Sequence, residues 1–457
     1  MPEALEQDYT SHQLNEVNAA LSSGMFVHVR RMLQHMLPCD VALLLESSPP
    51  KGRKVLWQLV DPEVFGEILE ELSEDVRNGL IKEMNPKKVA DATGSMDDDD
   101  LADVLRGLPD TIYQEVLRKM DSQDRTRAER ALSYEKDTAG AIMSTDTVTI
   151  RPDVTVDVVL RYLRLKGQMP DLTDTLYVVN KTDNFIGEIP LSTLVTSPPN
   201  QTIKSILAGK SEVIHADMDE VEVAKLFERH NWISAPVVND NNQLLGRITI
   251  DDVVDIIREE AEHSLMSMAG LDDDEDTFAP ALKSAQRRTI WLGINLFTAL
   301  MAAMVLNLFE ETLDQLAVLA VLSAIVPSMG GVAGSQTLTL VIRGIAVGHI
   351  NDNNARWLLG KEMAVGALNG LIWAVLIAGV VALWKGNLAL GLIIAFAMMM
   401  NMVAAGLSGV LIPLVLKRFK IDPALAGSVI LTTVTDIVGI FAFLGTATYF
   451  MSSIIGV

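Results

Sequence analysis

The sequence predicts a multi-domain, mainly α-helical membrane protein with a large acidic soluble part. Hydrophobic residues make up 49% of the 457 residues, yet the formal net charge is −22. The charge is unevenly placed: 283–457 holds ten basic and seven acidic residues, whereas 1–282 holds 27 basic and 52 acidic residues. A chain of this length also exceeds the usual size of one domain. A lipid-embedded C-terminal part therefore follows an anionic soluble part.

Five apolar stretches lie in the C-terminal part. Charge-free runs occupy 289–309, 315–342, 363–384 and 386–416, and a fifth runs from 423 to the C-terminus with only Asp436 inside it. About 20 helical residues cross a hydrocarbon core of about 30 Å. Each run is long enough to span, so 285–457 is predicted to be a transmembrane domain of five helices.

Basic residues in the loops orient these spans. Nine of them flank the start of span one and the ends of spans two and four, whereas Lys385 alone lies on the opposite face. Because loops rich in Lys and Arg stay in the cytoplasm, the N-terminal part is predicted to be cytoplasmic and the C-terminus to lie outside. The predicted location is the cell inner membrane, with no secretory signal at the N-terminus.

The second span contains the irregular segment 327–336, Pro-Ser-Met-Gly-Gly-Val-Ala-Gly-Ser-Gln. One interpretation is a break in the helix at mid-membrane depth, which is tolerated where protein or a water-filled cavity satisfies the backbone. The other is a kinked helix that packs closely through its small residues. The segment alone favours neither.

Asp436 is the only acid well inside a predicted span, and no span interior offers a basic partner. Intramembrane carboxylates usually pair with a base or mark an ion path. Ser428, Thr432 and Asp436 share one helix face at i, i+4 and i+8, and such an oxygen-lined stripe suits hard cations such as Mg²⁺ or Ca²⁺. The alternative is a protonated structural Asp that is hydrogen-bonded to Ser or Thr.

A duplicated α/β unit precedes the spans. The segment from Val178 to Leu191 matches the segment from Val237 to Ile250 at a constant offset of 59. This repeat resembles a tandem CBS pair, with copies at 134–200 and 201–258. The second copy has the G-x-x-T-x-x-D pattern, and the resemblance implies that Thr249 and Asp252 hold an adenine nucleotide, with ATP as a candidate cofactor. The first copy lacks the pattern.

Residues 25–133, after a tail at 1–24, show short amphipathic helices separated by prolines at roughly even intervals. The pattern predicts an all-α superhelical N domain. Acidic clusters lie at the start of one of its helices and along a helix that leads towards the membrane, whose connecting part, with a linker, is assigned to 259–284. The candidate cation-sensing residues are Asp97, Asp98, Asp99, Asp100, Asp103, Asp251, Asp252, Asp255, Glu259 and Glu260. The ordinary alternatives are helix-dipole compensation and a solvated helix face.

The order of N domain, CBS pair, connecting helix and five spans resembles the MgtE family of magnesium channels over nearly the whole chain. The local matches are Tyr134–Met143, Gly330-Gly331-x-x-Gly334-x-Gln336, Asp422-Pro423-Ala424 and Thr435-Asp436-x-x-Gly439. The resemblance implies a homodimer in the lipid bilayer, with the pore on its two-fold axis and Asp436 of each subunit facing hydrated Mg²⁺. It also implies that cytosolic Mg²⁺ binds the acidic clusters and closes the pore.

Two positions depart from the family pattern. Val332 stands where the family usually has Asn, and Ser428-Val429 where it often has Asn-Pro, which leaves the preference among Mg²⁺, Mn²⁺, Ca²⁺ and Co²⁺ open. The alternatives are a proton-coupled divalent cation transporter and a membrane-anchored adenine-nucleotide sensor. An acidic surface repels nucleic acid, and the soluble part has no pairing of nucleophile and base that would indicate an enzyme.

Overall fold

A computed structural model describes residues 16–17, 19–21, 23–94, 96–207, 211–271, 275–351 and 353–450. Most of the predicted tail at 1–24 and the last seven residues lie outside this part of the chain. The chain divides into two compact units. The soluble unit comprises 1–262 with 274–280, and the membrane unit comprises 263–273 with 281–457.

The predicted N domain is a succession of short helices. They are α1 Phe26–Leu33, α2 Pro38–Glu46, α3 Pro50–Leu59, a 3₁₀ turn Pro62–Val64, α4 Phe65–Glu70, α5 Glu74–Ile81, α6 Pro86–Thr93, α7 Asp98–Arg106, α8 Asp110–Lys119 and α9 Ser122–Ala131. Pro38, Pro50 and Pro86 begin helices, where the missing N–H would have had no intrahelical partner. Leu44, Ile68 and other buried apolar side chains form one continuous core.

Two copies of the same α/β unit follow. The first contains β1 Thr149–Ile150, α10 Val156–Lys166, β2 Thr175–Val179, β3 Phe185–Pro190 and α11 Leu191–Thr196, and the second, after α12 Ile203–Ile206, contains β4 Ile214–His215, α13 Glu220–His230, β5 Ser234–Val238, β6 Leu244–Thr249 and α14 Ile250–Met268. In each copy the first strand pairs parallel with the second, which pairs antiparallel with the third. The ladder register shifts after Val178 and again after Val237, so the duplication extends to an irregularity of the sheet.

Within the described part of the membrane unit, five helices are long and apolar enough to cross a bilayer. They are TM1 Ala281–Asn307, TM2 Ala317–Ala346, TM3 Ala355–Lys385, TM4 Leu388–Arg418 and TM5 Pro423–Tyr449. TM5 starts with Pro423, and the Asp422 carboxylate accepts hydrogen bonds from the Ala424 and Leu425 N–H groups. The fold class predicted from the sequence is confirmed.

TM2 is interrupted before the segment 327–336, where one interpretation of the sequence places a break in the helix. The helix pauses at 323–324 and then continues without a break through Ile325–Ala346. The break predicted within 327–336 is therefore wrong, because Pro327 occupies the third position of the new segment, where its missing N–H has no helical acceptor to lose. The alternative of close packing fits: a Cβ atom on Gly334 would lie 2.9 Å from the Leu431 side chain.

Candidate cation sites

Asp436 lies on a face of TM5 that its own chain covers only in part. Leu431, Thr435 and Gly439 are buried against the rest of the membrane unit, whereas Thr432 is exposed and Asp436 is half-buried. No described residue donates a hydrogen bond to the Asp436 carboxylate or pairs with it as a cation. The alternative of a structural Asp bonded to Ser or Thr therefore finds no support among the described residues.

Ser428 and Thr432 continue this stripe and border a small cavity. Its other lining residues include Met268, Gly270, Trp291 and Asn295. The Thr432 hydroxyl donates to the Ser428 carbonyl at 2.9 Å, which leaves the hydroxyl oxygen free to accept from a water or to face a cation. The end of α14, with Met268, is thus beside the polar stripe of TM5.

Glu362 corrects the expectation that Asp436 is the only acid inside a span. TM3 begins at Ala355, so Glu362 lies within it, and the residue is 4% exposed. Its carboxylate pairs with the Lys361 ammonium at 2.6 Å and accepts a hydrogen bond from Thr337 at 3.1 Å. The charge of Glu362 is therefore already compensated, in contrast to that of Asp436.

A first group of carboxylates forms where α7 meets the start of α14. Burial, together with Asp252 and Asp100, raises the pKa of Asp99 well above its ordinary value. Burial and then Glu70 and Asp252 raise the pKa of Asp100 to about 8. Burial and then Asp251 raise the pKa of Asp252 to about 6. These acids are near one another and poorly solvated, so their ionised forms repel.

Glu70 belongs to this group and was missed from the sequence. Burial, followed by Asp97, raises the pKa of Glu70 to about 7, while partial burial and then Asp98 raise the pKa of Asp97. Glu70 ends α4, far from the acidic run in sequence, so no local pattern marks it. The first group therefore consists of Glu70, Asp97, Asp99, Asp100 and Asp252.

Three predicted residues have cationic partners of their own. The buried Asp98 carboxylate pairs with Arg127 at 2.7 Å and also accepts a hydrogen bond from Thr145. Asp103 pairs with Arg77 at 3.1 Å, and Asp255 pairs with Arg258 at 3.3 Å. We separate them from the first group, because an arginine already neutralises each of them. Asp251 remains an exposed residue beside Asp252.

A second group surrounds Glu220 at the start of α13. Burial, followed by Asp137, Glu259 and Asp219, raises the pKa of Glu220 to about 7. Of these acids, only Glu259 was predicted from the sequence as a cation-sensing residue. Asp137 has a positive φ of 62° in the segment between the N domain and the first repeat, and no motif marks it as an acid of this site. Glu260 follows Glu259 on α14.

Both groups suit a hydrated cation better than a bare one. Among the described residues, no group of three or more His, Cys, Asp or Glu side chains is arranged to hold a metal ion directly. Mg²⁺ gives up its water shell reluctantly and is commonly bound through one or two carboxylates with several waters retained. Desolvated carboxylates with raised pKa values gain most from a nearby divalent charge, so the chemistry of both groups fits Mg²⁺.

Thr249 and Asp252, the residues of the nucleotide-type pattern, contact each other. The Thr249 hydroxyl and N–H both donate to Asp252 Oδ2, at 2.9 and 3.2 Å. Asp252 is also a member of the first group, whose negative charge opposes the approach of phosphate groups. Binding of ATP at these two residues stays a prediction.

Comparison with known families divides the chain in the same order. Residues 323–446 match a model described as a divalent cation transporter, MgtE. Residues 36–137 match the MgtE intracellular N domain, and 139–200 and 203–259 match the CBS domain. The three models follow one another along the chain and include Asp436 and both acidic groups.

Relatives of similar length extend the match to nearly the whole chain. The chain is 28% identical to the magnesium transporter MgtE of Bacillus subtilis over 95% of its own length and 96% of the relative's. It is also 28% identical to the magnesium transporter MgtE of Thermus thermophilus, over 95% of this chain and 98% of the relative.

Two solved structures are similar to part of the chain. One is the soluble part of a magnesium transporter, 25% identical, with a TM-score of 0.48, which covers 55% of this chain and 99% of its own. The other is the cytosolic domain of the Mg²⁺ channel MgtE in complex with ATP, 28% identical, with a TM-score of 0.49, which covers 53% of this chain and 99% of its own. The three family models together cover most of the chain, and the relatives align with it over nearly the whole length of both proteins. This chain therefore belongs to the MgtE family of divalent cation transporters.

Proposed function

We propose that the protein is a homodimeric Mg²⁺ channel of the cell membrane that admits Mg²⁺ and closes when cytosolic Mg²⁺ binds its acidic groups. One observation carries the ion-site part of this proposal: the Asp436 carboxylate, inside a span, has no partner among the described residues. An intramembrane acid without a partner is costly, and such residues mark ion pathways. The relatives named as magnesium transporters support Mg²⁺ as the ion.

The pore requires a second copy of the chain. The face with Ser428, Thr432 and Asp436 is only partly covered by the chain's own helices. Two copies related by a two-fold axis would place two Asp436 carboxylates opposite each other, so that two negative charges balance one divalent ion. The hydroxyl groups of the stripe would then contact the water shell of the ion.

Closure would use the repulsion within the two acidic groups. Without a divalent cation, ionised Asp99, Asp100 and Asp252 repel one another, and a bound Mg²⁺ screens that repulsion and draws the N domain towards α14. Asp252 and Glu259 lie on the same helix as Met268, which lines the cavity beside Thr432. A movement of the start of α14 on cation binding would therefore also move the end of this helix, with Met268.

Orientation follows from the basic loops. Five spans put the two ends of the chain on opposite faces, and the loops rich in Lys and Arg stay on the cytoplasmic face with the soluble unit. The C-terminus would therefore lie outside. A cysteine introduced near residue 450 and labelled in intact cells with a membrane-impermeant thiol reagent tests this orientation.

The ion site is tested by Mg²⁺ uptake into proteoliposomes loaded with a Mg²⁺-sensitive dye. We expect Asp436→Ala to abolish uptake, whereas Asp314→Ala, in the short helix Glu310–Gln315, keeps it. Persistent uptake in the Asp436 variant contradicts the proposal. A proton-coupled transporter predicts instead that uptake depends on a pH gradient at fixed Mg²⁺, and a nucleotide sensor predicts ATP binding without any uptake.

A further inference from the structure

A buried amide lies in the middle of TM4, where the sequence offers no hint of a function. The Asn401 side chain is fully buried, at 0% exposure, in a run of methionines. Its Nδ2 atom donates to the Val326 carbonyl of TM2 at 2.7 Å, but its Oδ1 atom has no hydrogen-bond partner among the described residues.

Packing alone does not account for this residue. A buried acceptor without a donor destabilises a fold, because nothing replaces the hydrogen bond that it made with water. A leucine of similar volume would fill the same space without that penalty. Buried polar residues within membranes commonly face the interior of the bundle and take part in function.

The surroundings of the amide connect it to the turn of TM5 that bears Asp436. A Cβ atom on Gly330 of TM2 would lie 2.1 Å from Asn401 Nδ2, and a Cβ atom on Gly439 of TM5 would lie 3.0 Å from the same atom and 3.1 Å from the Pro327 nitrogen. The amide therefore occupies a space that exists only because both helices have glycine there. Gly439 follows Asp436 by one helical turn, so the amide determines how closely that turn approaches TM2.

We propose that Asn401 is a positioning residue for transport, which holds the Asp436 turn of TM5 at a set distance from TM2. The unused Oδ1 atom is the acceptor for a second arrangement of these helices. The segment of TM2 that starts at Ile325 lies next to it, and the first N–H groups of a helix have no intrahelical acceptor. A small shift of TM2 along TM4 would bring such a donor to Oδ1. This inference rests on the proposed role of Asp436 as the ion site.

The main test replaces the amide by an apolar side chain and measures the unfolding temperature, Mg²⁺ uptake and block of the ion site. For Asn401→Leu we expect an unfolding temperature equal to or above that of the wild type, because the unsatisfied oxygen is gone. We also expect Mg²⁺ uptake to fall by about tenfold or more, since small misplacements of reactive groups have effects of that size or larger. Block by hexaamminecobalt(III), a cation with a fixed ligand shell that resembles hydrated Mg²⁺, should shift by about threefold or more.

If Asn401 served packing alone, a folded Asn401→Leu variant would be blocked by the same concentration of hexaamminecobalt(III) as the wild type. The matched control is Met402→Leu, a conservative change of the neighbouring buried residue, which should leave uptake and block unchanged. Wild-type uptake and wild-type block in Asn401→Leu overturn the inference.

A double-mutant cycle covers the case in which Asn401→Leu fails to fold. In Gly439→Ala the new Cβ presses on Nδ2, and we expect lower uptake and altered block. In the double variant with Asn401→Ala the pressed atom is absent, so the effect of Gly439→Ala should be clearly smaller than in the wild-type background, since only the contact with Pro327, whose nitrogen lies at 3.1 Å, is shared by both. Effects that simply add contradict the inference. Uptake that persists in Asp436→Ala contradicts the proposed function, whereas an inactive Asp436→Ala beside a normal Asn401 variant contradicts the positioning role alone.

Discussion

Carboxylates of the soluble unit fall into two kinds, which differ in their partners. Asp98 and Asp103 have arginine partners within 3.1 Å, whereas Asp99, Asp100 and Asp252 are held near one another and have raised pKa values. The first kind stabilises the fold when ionised. The second kind destabilises it when ionised, unless a cation is present.

This difference predicts a pH dependence with a definite sign. An acid whose folded pKa exceeds its unfolded value, which is about 4, contributes stability that is lost as the pH rises through the folded pKa. The folded values are about 6 for Asp252, about 7 for Glu70 and about 8 for Asp100. In Mg²⁺-free buffer, the thermal unfolding temperature of the soluble unit within the full chain should fall between about pH 5 and pH 9.

Saturating Mg²⁺ should flatten this fall, because the cation replaces the bound protons, and Asp100→Asn should reduce it without Mg²⁺. The matched control is Asp91→Asn, an exposed residue of α6, which should leave the slope unchanged. An unfolding temperature that rises with pH in Mg²⁺-free buffer would show that the acids are stabilised by other means.

Arg53 gives a second prediction for a single residue. Its guanidinium forms two hydrogen bonds to the Asp276 carboxylate, at 2.8 and 3.1 Å, and both side chains are 8% exposed. Although burial acts in the opposite direction, hydrogen bonds from Arg53 and from the Phe278 N–H lower the pKa of Asp276. The pair therefore ties the segment before TM1 to the N domain of the soluble unit, and it should weaken only as the pH falls below about 4.

Arg53→Met leaves the Asp276 charge buried without a partner, a change that typically costs about 3–5 kcal/mol. We expect faster amide hydrogen exchange at Phe278 and Ala279, whose N–H groups bond to Asp276. Lys54→Met is the control, since the exposed pair of Lys54 with Glu83 is worth about 0–1 kcal/mol. Unchanged exchange in Arg53→Met would mean that the segment is held by other contacts.

Among the helices, TM3 and TM4 pack through glycines rather than through large side chains. A Cβ atom on Gly366 would lie 2.6 Å from the Met402 carbonyl oxygen, and one on Gly406 would lie 2.8 Å from the Glu362 carbonyl oxygen. Backbone atoms cannot move aside as side chains do, so the two helices would have to separate. Close approach through small residues is a common way for membrane helices to associate.

Gly366→Ala should therefore lower the thermal unfolding temperature of the membrane unit, with a loss of about 1–3 kcal/mol from overpacking. Gly379→Ala is the matched control in the same helix, because nothing described lies within 4 Å of its Cβ position, and alanine favours the helix. Equal unfolding temperatures for the two variants would contradict the close contact.

The sequence allows the large elements to be predicted, because their signals lie within single stretches of the chain. Apolar runs mark the five spans, and the spacing of Ser428, Thr432 and Asp436 places them on one face of TM5. Glu362 was missed because Lys361 beside it reads as the end of a span, although TM3 begins at Ala355.

Contacts between distant parts of the chain could not be predicted in this way. Glu70 joins the acidic group through the stacking of α4 beside α7, and Asn401 is identified only by the glycines of two other helices that surround it. A lone asparagine among methionines has no periodicity to interpret. The sites that depend on such contacts require the three-dimensional structure.

For the molecule as a whole, we propose that the charge of −22 acts in gating: acidic residues of the soluble unit sense Mg²⁺ and control an ion path through Asp436. The most direct test is the current through the purified full-length protein in a planar bilayer, with Mg²⁺ varied only on the side of the soluble unit. We predict that the current falls as Mg²⁺ rises on that side, and that combined Asp99→Asn, Asp100→Asn and Asp252→Asn substitutions leave it high. A current that ignores Mg²⁺ on that side, or one that these substitutions do not change, would contradict the account.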